Sequence, residues 1–73
     1  MIKISVLIAG RHATSISLEK EFLQELQNIA AEQKISFNRI ITDIDQKRNT
    51  ENLSSAIRLY VLKYYQTRLN TPK

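Results

Sequence analysis

The chain has 73 residues, a formal net charge of +4, one histidine and no cysteine. That length holds one domain, and the missing cysteine excludes disulfides, cysteine-ligated zinc and thiol catalysis together. A lone His12 also excludes a histidine-rich metal site within one chain, which leaves oligomerisation as the way to support so small a core. The basic balance favours a polyanionic partner. It is mild, because the seven acidic residues are interspersed, and ordinary solubility accounts for it as well.

The chain opens with MIKISVLIAG. Ile2, Ile4, Val6 and Ile8 alternate with Lys3, Ser5 and Leu7, which predicts a strand over 2–8. The apolar stretch Ile4–Ala9 is short for a secretory signal and is interrupted by Ser5 and closed by Gly10, Arg11 and His12. No stretch approaches the roughly 20 apolar residues of a membrane span, so the expected location is the cytoplasm. Ala9, Gly10 and Arg11 make a break around the only glycine. A second strand is predicted over 12–18, with Thr14, Ile16 and Leu18 on one face and Ala13, Ser15 and Ser17, in phase with Arg11, on the other. The first face suits a core. The second is flat, small and hydrogen-bonding.

A helix follows over 19–34, where Phe22, Leu26, Ile29 and Ala30 repeat on one side with Leu23 beside them. Glu19 and Glu21 in its first turn and Lys34 in its last complement the helix dipole. Ser36 is placed to cap a second helix over 37–47. Ile35 and Ile40 flank that cap as a hydrophobic staple, and Phe37, Ile40, Ile41 and Ile44 form the apolar stripe. QKRNTEN at 46–52 is a polar link ending in Asn52, a cap for a third helix over 53–69. That helix is apolar over most of its circumference, through Leu53, Ala56, Ile57, Tyr60, Val61 and Tyr64, broadened by Leu59, Leu62 and Tyr65. Such a helix must bury more than one face, and a second chain is the natural cover. Residues 1–70 are expected to form a single domain and 71–73 a frayed tail.

Enzymatic chemistry finds little support. Glu19 and Glu21 are two apart on a helix and so point away from each other. His12 has no neighbouring acid or nucleophile in sequence, and neither a phosphate-cradling glycine loop nor metal-ligand spacing occurs. No cofactor is expected. Tyr60, Tyr64 and Tyr65 could stack bases, but Tyr60 and Tyr64 lie on the apolar stripe, which favours packing with the hydroxyls at the rim. Arg58 is expected to bridge to Asp43, Asp45 or Glu51 within the chain rather than to contact a partner.

Three blocks, TSISLEKEF, IAAEQKISFN and NLSSAIRLYVL, follow one another in order between His12 and Tyr65. Together they resemble a small bacterial family of ribbon-helix-helix DNA-binding domains. The resemblance implies a mainly α fold with short β structure: strand, helix, helix, here with an extra N-terminal strand and a third C-terminal helix, assembled as an intertwined homodimer. In that fold two chains pair their strands into one antiparallel ribbon that enters the DNA major groove. The resemblance then turns Arg11, Ala13, Ser15 and Ser17 toward base edges. Thr14, Ile16, Leu18, Phe22, Leu26, Ile40, Ile44 and Tyr60 become the dimer core. Ser36, Phe37 and Asn38 would offer the start of the second helix to a phosphate, with Lys34 and Arg39 adding charge. Serines lack the bidentate fork of Arg, Asn or Gln, so readout would lean on DNA shape and on Arg11 and His12 at the rim. The implied function is a DNA-binding transcriptional repressor whose partners are itself and double-stranded DNA. The alternative is an antitoxin-like interaction module whose third helix binds a partner protein. Residues 2–8 can also pair with 12–18, which in a dimer makes a four-stranded sheet. With strands about 4.8 Å apart, that sheet is wider than a groove of about 12 Å.

Overall fold

The structure, a computed structural model, describes residues 1–49 and 52–70. Its elements are β1 (Ile2–Ile8), β2 (His12–Leu18), α1 (Lys20–Gln33), α2 (Phe37–Lys47) and α3 (Leu53–Asn70). The fold class is the expected one, a ribbon-helix-helix order carrying one strand before it and one helix after. Glu51 and the tail at 71–73 lie outside the described residues.

β1 and β2 pair antiparallel over their full length, from Ile2 opposite Leu18 to Ile8 opposite His12. The reversal needs two left-handed residues in succession. Ala9 takes φ 55° and Gly10 φ 71°, and the Arg11 N–H closes the turn on the Ile8 carbonyl at 3.1 Å. Such a turn matches the right-handed twist of the two strands. Because both strands alternate in phase, the hairpin has one apolar side carrying Val6, Ile8, Ile16 and Leu18, all buried.

The helices close over that side. Leu26, Ile29 and Ala30 of α1, Ile40, Ile41 and Ile44 of α2, and Ala56, Ile57 and Val61 of α3 complete one core. Ser36 caps α2 as expected, its hydroxyl accepting from the Arg39 N–H at 3.1 Å. Asn52 does the same for α3, accepting from the Ser55 N–H at 3.2 Å. α1 is shorter than expected by one residue at each end. Glu19 is its N-cap, and Lys34 leaves the helix as a left-handed C-cap with φ 60°. The N–H groups of Lys34 and Ile35 turn back onto the carbonyls of Ala31 and Ala30, both at 3.1 Å, the paired closure that normally recruits glycine.

The expected partners of Arg58 are corrected. Asp43 and Asp45 are each engaged by an arginine close in sequence, Arg39 at 3.6 Å and Arg48 at 2.9 Å. Arg58 instead reaches across to Glu19, Nε to Oε1 at 2.8 Å, and ties the middle of α3 to the start of α1.

Candidate nucleic-acid interface

The side of the hairpin away from the core carries Lys3, Ser5 and Leu7 from β1 facing Ser17, Ser15 and Ala13 from β2. All are exposed except Ser17, which is half-buried. Small side chains fill its centre, so the backbone itself can come close to whatever lies against it. Arg11, exposed at the turn, and Lys3 place one positive charge toward each end. Lys3 and Leu7 join this face only through the pairing register, which the periodicity of β2 alone does not reveal.

The two edges of the hairpin differ. At the turn end of β1, α2 supplies two side-chain acceptors: Leu7 donates to Asn38 Oδ1 at 3.4 Å and Ala9, just past the strand, to Thr42 Oγ1 at 2.9 Å, while Lys3 and Ser5 in the same phase have no such acceptor among the described residues. Four residues of helix advance about 6 Å and two residues of strand about 6.6 Å, so the spacing of Asn38 and Thr42 matches that of Leu7 and Ala9. Along β2 the only such cover among the described residues is at one end, where the Ser17 N–H donates to Ser54 Oγ at 3.3 Å. The stretch around Ala13 and Ser15 is open, and beside it runs a groove of mixed polarity, with Ile8, Ile16 and Leu53 on its apolar side and His12, Asp45, Arg48 and Asn52 on its polar side.

α2 begins next to β1. Ser36 Oγ occupies the Arg39 N–H, while the N–H groups of Phe37 and Asn38 have no protein acceptor among the described residues. Unpaired N–H groups at the positive end of a helix suit an anion. Phe37 is half-buried against the core and anchors that end, and Arg39 is exposed at the mouth. Asn38 has its carboxamide oxygen turned to β1, so its first role is to dock the helix. Lys34 is exposed two residues before the cap.

Of the residues expected at a dimer core, Ile16, Leu18, Leu26, Ile40 and Ile44 are buried within a single chain, Phe22 and Tyr60 are half-buried, and Thr14 is exposed on the β2 groove. The tyrosine hydroxyls sit at the rim on α1. Tyr65 donates to Glu25 Oε1 at 2.7 Å, Tyr64 to Glu32 Oε1 at 2.5 Å, and Tyr60 accepts from Gln33 Nε2 at 3.1 Å. Arg68 grips the same Glu32 carboxylate with both oxygens within 2.8 Å. The hydrogen bond to Glu25 holds the proton on Tyr65 and pushes its phenol up to about 12. Hydrogen bonds from Arg58 to Glu19, and from Arg68 and Tyr64 to Glu32, hold those two carboxyls below the usual range. Among the described residues no cluster of three or more metal-ligating side chains occurs, and no helix is long and apolar enough to cross a membrane.

A hairpin whose free strand edge is flanked by a capped helix start, all resting on a three-helix core, defines a ribbon-helix-helix architecture. The family model of the ribbon-helix-helix domain matches residues 1–65, and the chain belongs to that family. Its members are typically non-enzymatic, either dimeric DNA-binding regulators or antitoxins. No curated protein and no solved structure matches the chain.

Proposed function

We propose that the protein is a bacterial, cytoplasmic DNA-binding transcriptional regulator, acting as a repressor, in which residues 1–70 form one domain and two copies pair through the open edge of β2. The observation that carries this reading is the contrast between the two hairpin edges. α2 lies along the turn end of β1, where Asn38 and Thr42 accept from the Leu7 and Ala9 N–H groups, whereas at the same end of β2 the backbone around Ala13 and Ser15 has no such cover among the described residues and borders a groove of mixed polarity. An edge left open in this way is a template for a second strand.

Pairing β2 with its copy makes the four-stranded sheet whose width conflicts with simple insertion. The arrangement of charge offers a resolution. The two central strands carry Ala13, Ser15 and Ser17, small enough for the backbone to approach base edges. The two flanking β1 strands fall over the groove walls, where Lys3 meets phosphate rather than bases. Phe37 and Asn38 at the start of α2, next to β1, take a further phosphate on each side, with Arg39 and Lys34 adding charge. Specificity then comes mainly from DNA shape and from Arg11 and His12.

The test is fluorescence anisotropy with labelled duplexes, one carrying DNA upstream of the protein's own gene and one scrambled, titrated at several salt concentrations. The upstream duplex is expected to bind more tightly, with log affinity falling steeply against log salt. Ser15→Glu is expected to abolish binding. Lys3→Ala is expected to weaken both duplexes equally and to lower the salt slope by about one. Equal weak binding to both duplexes, indifferent to Ser15→Glu, would reduce the protein to a basic surface touching phosphates.

A further inference from the structure

α3 carries an apolar seam that neither the core nor the β2 edge uses. Ser55, Leu59, Leu62, Gln66 and Leu69 follow one another in alternating steps of four and three, the spacing by which one helix meets another side by side. Leu59 is 45 %, Leu62 51 % and Leu69 84 % exposed. Ser54, which bonds β2, lies about 140° around the helix from Leu59 at about 100° per residue. Leu62 lies about 80° from Ser54 by the same count, so pairing through β2 leaves Leu59 and the groove beside it uncovered.

Charge restricts what can cover it. Residues 53–70 contain Arg58, Lys63 and Arg68 and no acidic residue. Arg58 and Arg68 are neutralised by Glu19 and Glu32. Lys63, beside Leu59 and Leu62, has no ion pair among the described residues, and neither does Lys47 at the end of α2. Between these two lysines runs a groove floored by Ile44, Ala56, Leu59 and Tyr60. The other charges on its rim, Asp43 and Arg48, are held by Arg39 and Asp45. A second copy of α3 would bring Lys63 against Lys63 with no acid to offset either, and like charges beside a helix seam oppose pairing.

We propose that the face formed by Leu59, Leu62 and the groove between Lys47 and Lys63 binds an amphipathic helix of another protein, with a leucine-rich stripe bordered by Glu or Asp. The apolar stripe fills the groove and covers the leucines, and the acidic borders lie on the two lysines, the helix-in-groove mode of recognition. The site is separate from the hairpin face, so the regulator could hold a protein partner and DNA together.

The chain lacks tryptophan, so a synthetic three-heptad peptide with one tryptophan reports its own binding by fluorescence. Two peptides are compared on the full chain, identical in their leucine stripe, one with Glu borders and one with Lys borders. The Glu peptide is expected to bind at least tenfold more tightly at low salt. Leu59→Ser with Leu62→Ser is expected to abolish that binding while leaving the thermal melt and duplex binding unchanged, and Lys47→Glu with Lys63→Glu to reverse the preference. Absent binding, or equal binding of both peptides, would overturn the proposal. So would a change of sedimenting mass in the leucine variant, which would assign the seam to a second copy, or its loss of duplex binding, which would assign the face to DNA. Duplex titrations of the same samples read the hairpin proposal separately, so either can fail alone.

Discussion

Among the described residues, two other than glycine take left-handed backbone angles, Ala9 at φ 55° and Lys34 at φ 60°. Both sit where the chain reverses, and a side chain there costs about 1–2 kcal/mol. Lys34 closes α1, and the half-buried Ile35 beyond it packs on the core as this kind of helix end requires. Replacing Lys34 with glycine removes the strain but frees the unfolded chain, which returns about 0.4–1 kcal/mol of the gain. Lys34→Gly is therefore expected to stabilise the fold by about 0.5 kcal/mol, raising the melting temperature by about 2–4 °C. If Lys34 also meets phosphate, the same variant lowers the salt slope of DNA binding by about one, so melt and titration move in opposite senses. A lower melting temperature would mean that the lysine side chain carries stability through contacts of its own. The caps at Ser36 and Asn52 are legible from sequence because a cap is chosen by its own few neighbours. The strain at Lys34 is not, since nothing in QKIS announces a left-handed residue. Nor is the Arg58–Glu19 pair, which spans 39 residues and exists only once the core has formed.

At the scale of elements, strand limits and helix starts are readable because periodicity and caps are local properties. The cover on β1 by Asn38 and Thr42 is not, because it depends on how α2 lies against a strand. The same holds for the junction of α1 and α3. The three tyrosines mark α3 as a packing helix, but the sequence does not say that their hydroxyls reach Glu25, Glu32 and Gln33. That junction has a pH signature. Tyr65 is held protonated up to about 12 by its bond to Glu25, against about 10 for a free phenol. A group whose folded pKa is raised contributes fully below its unfolded value and loses that contribution as pH climbs through the folded one. Stability from this contact is therefore complete up to about pH 10 and disappears toward about pH 12. Tyr64, raised by Glu32, adds in the same direction. On the acid side the sign reverses. Glu19 and Glu32 are lowered by Arg58 and Arg68, so their contribution is present above the ordinary carboxyl value and lost as pH falls through the lowered one. The check is the absorbance of phenolate against pH. One tyrosine of the three is expected to ionise near 12, and Tyr65→Phe to remove that step and flatten the alkaline fall in melting temperature. Three tyrosines ionising together near the ordinary value would show that the α1–α3 contacts do not hold in solution.

For the whole molecule, the question is how a chain this short can be both closed and unfinished. Its core is complete within one chain, since Leu18, Leu26, Ile29, Ile40, Ile41 and Ile57 are all fully buried. What the hairpin leaves open is backbone. The odd-numbered residues of β2 turn their N–H groups away from β1, as Ser17 shows by bonding Ser54, and Ser15 shares that phase without such a partner among the described residues. A dimer formed here gains hydrogen bonds and covers Thr14 and Leu53 without unpacking either core. Proline tests this directly. It removes one N–H and is tolerated on an edge strand, so Ser15→Pro should leave the hairpin and the core in place while deleting a bond at the centre of the proposed interface. The parent is expected to sediment as a dimer and Ser15→Pro as a monomer with the same far-ultraviolet circular dichroism. Its affinity for duplex should fall further than removal of one hydroxyl would explain, because the two copies of the ribbon and the two α2 starts no longer bind as one surface. A Ser15→Pro protein that still sediments as a dimer would place the joint elsewhere. The leucines of α3 would then be the next surface to examine, and the sedimenting mass of the Leu59→Ser, Leu62→Ser variant would decide whether a second copy already occupies them.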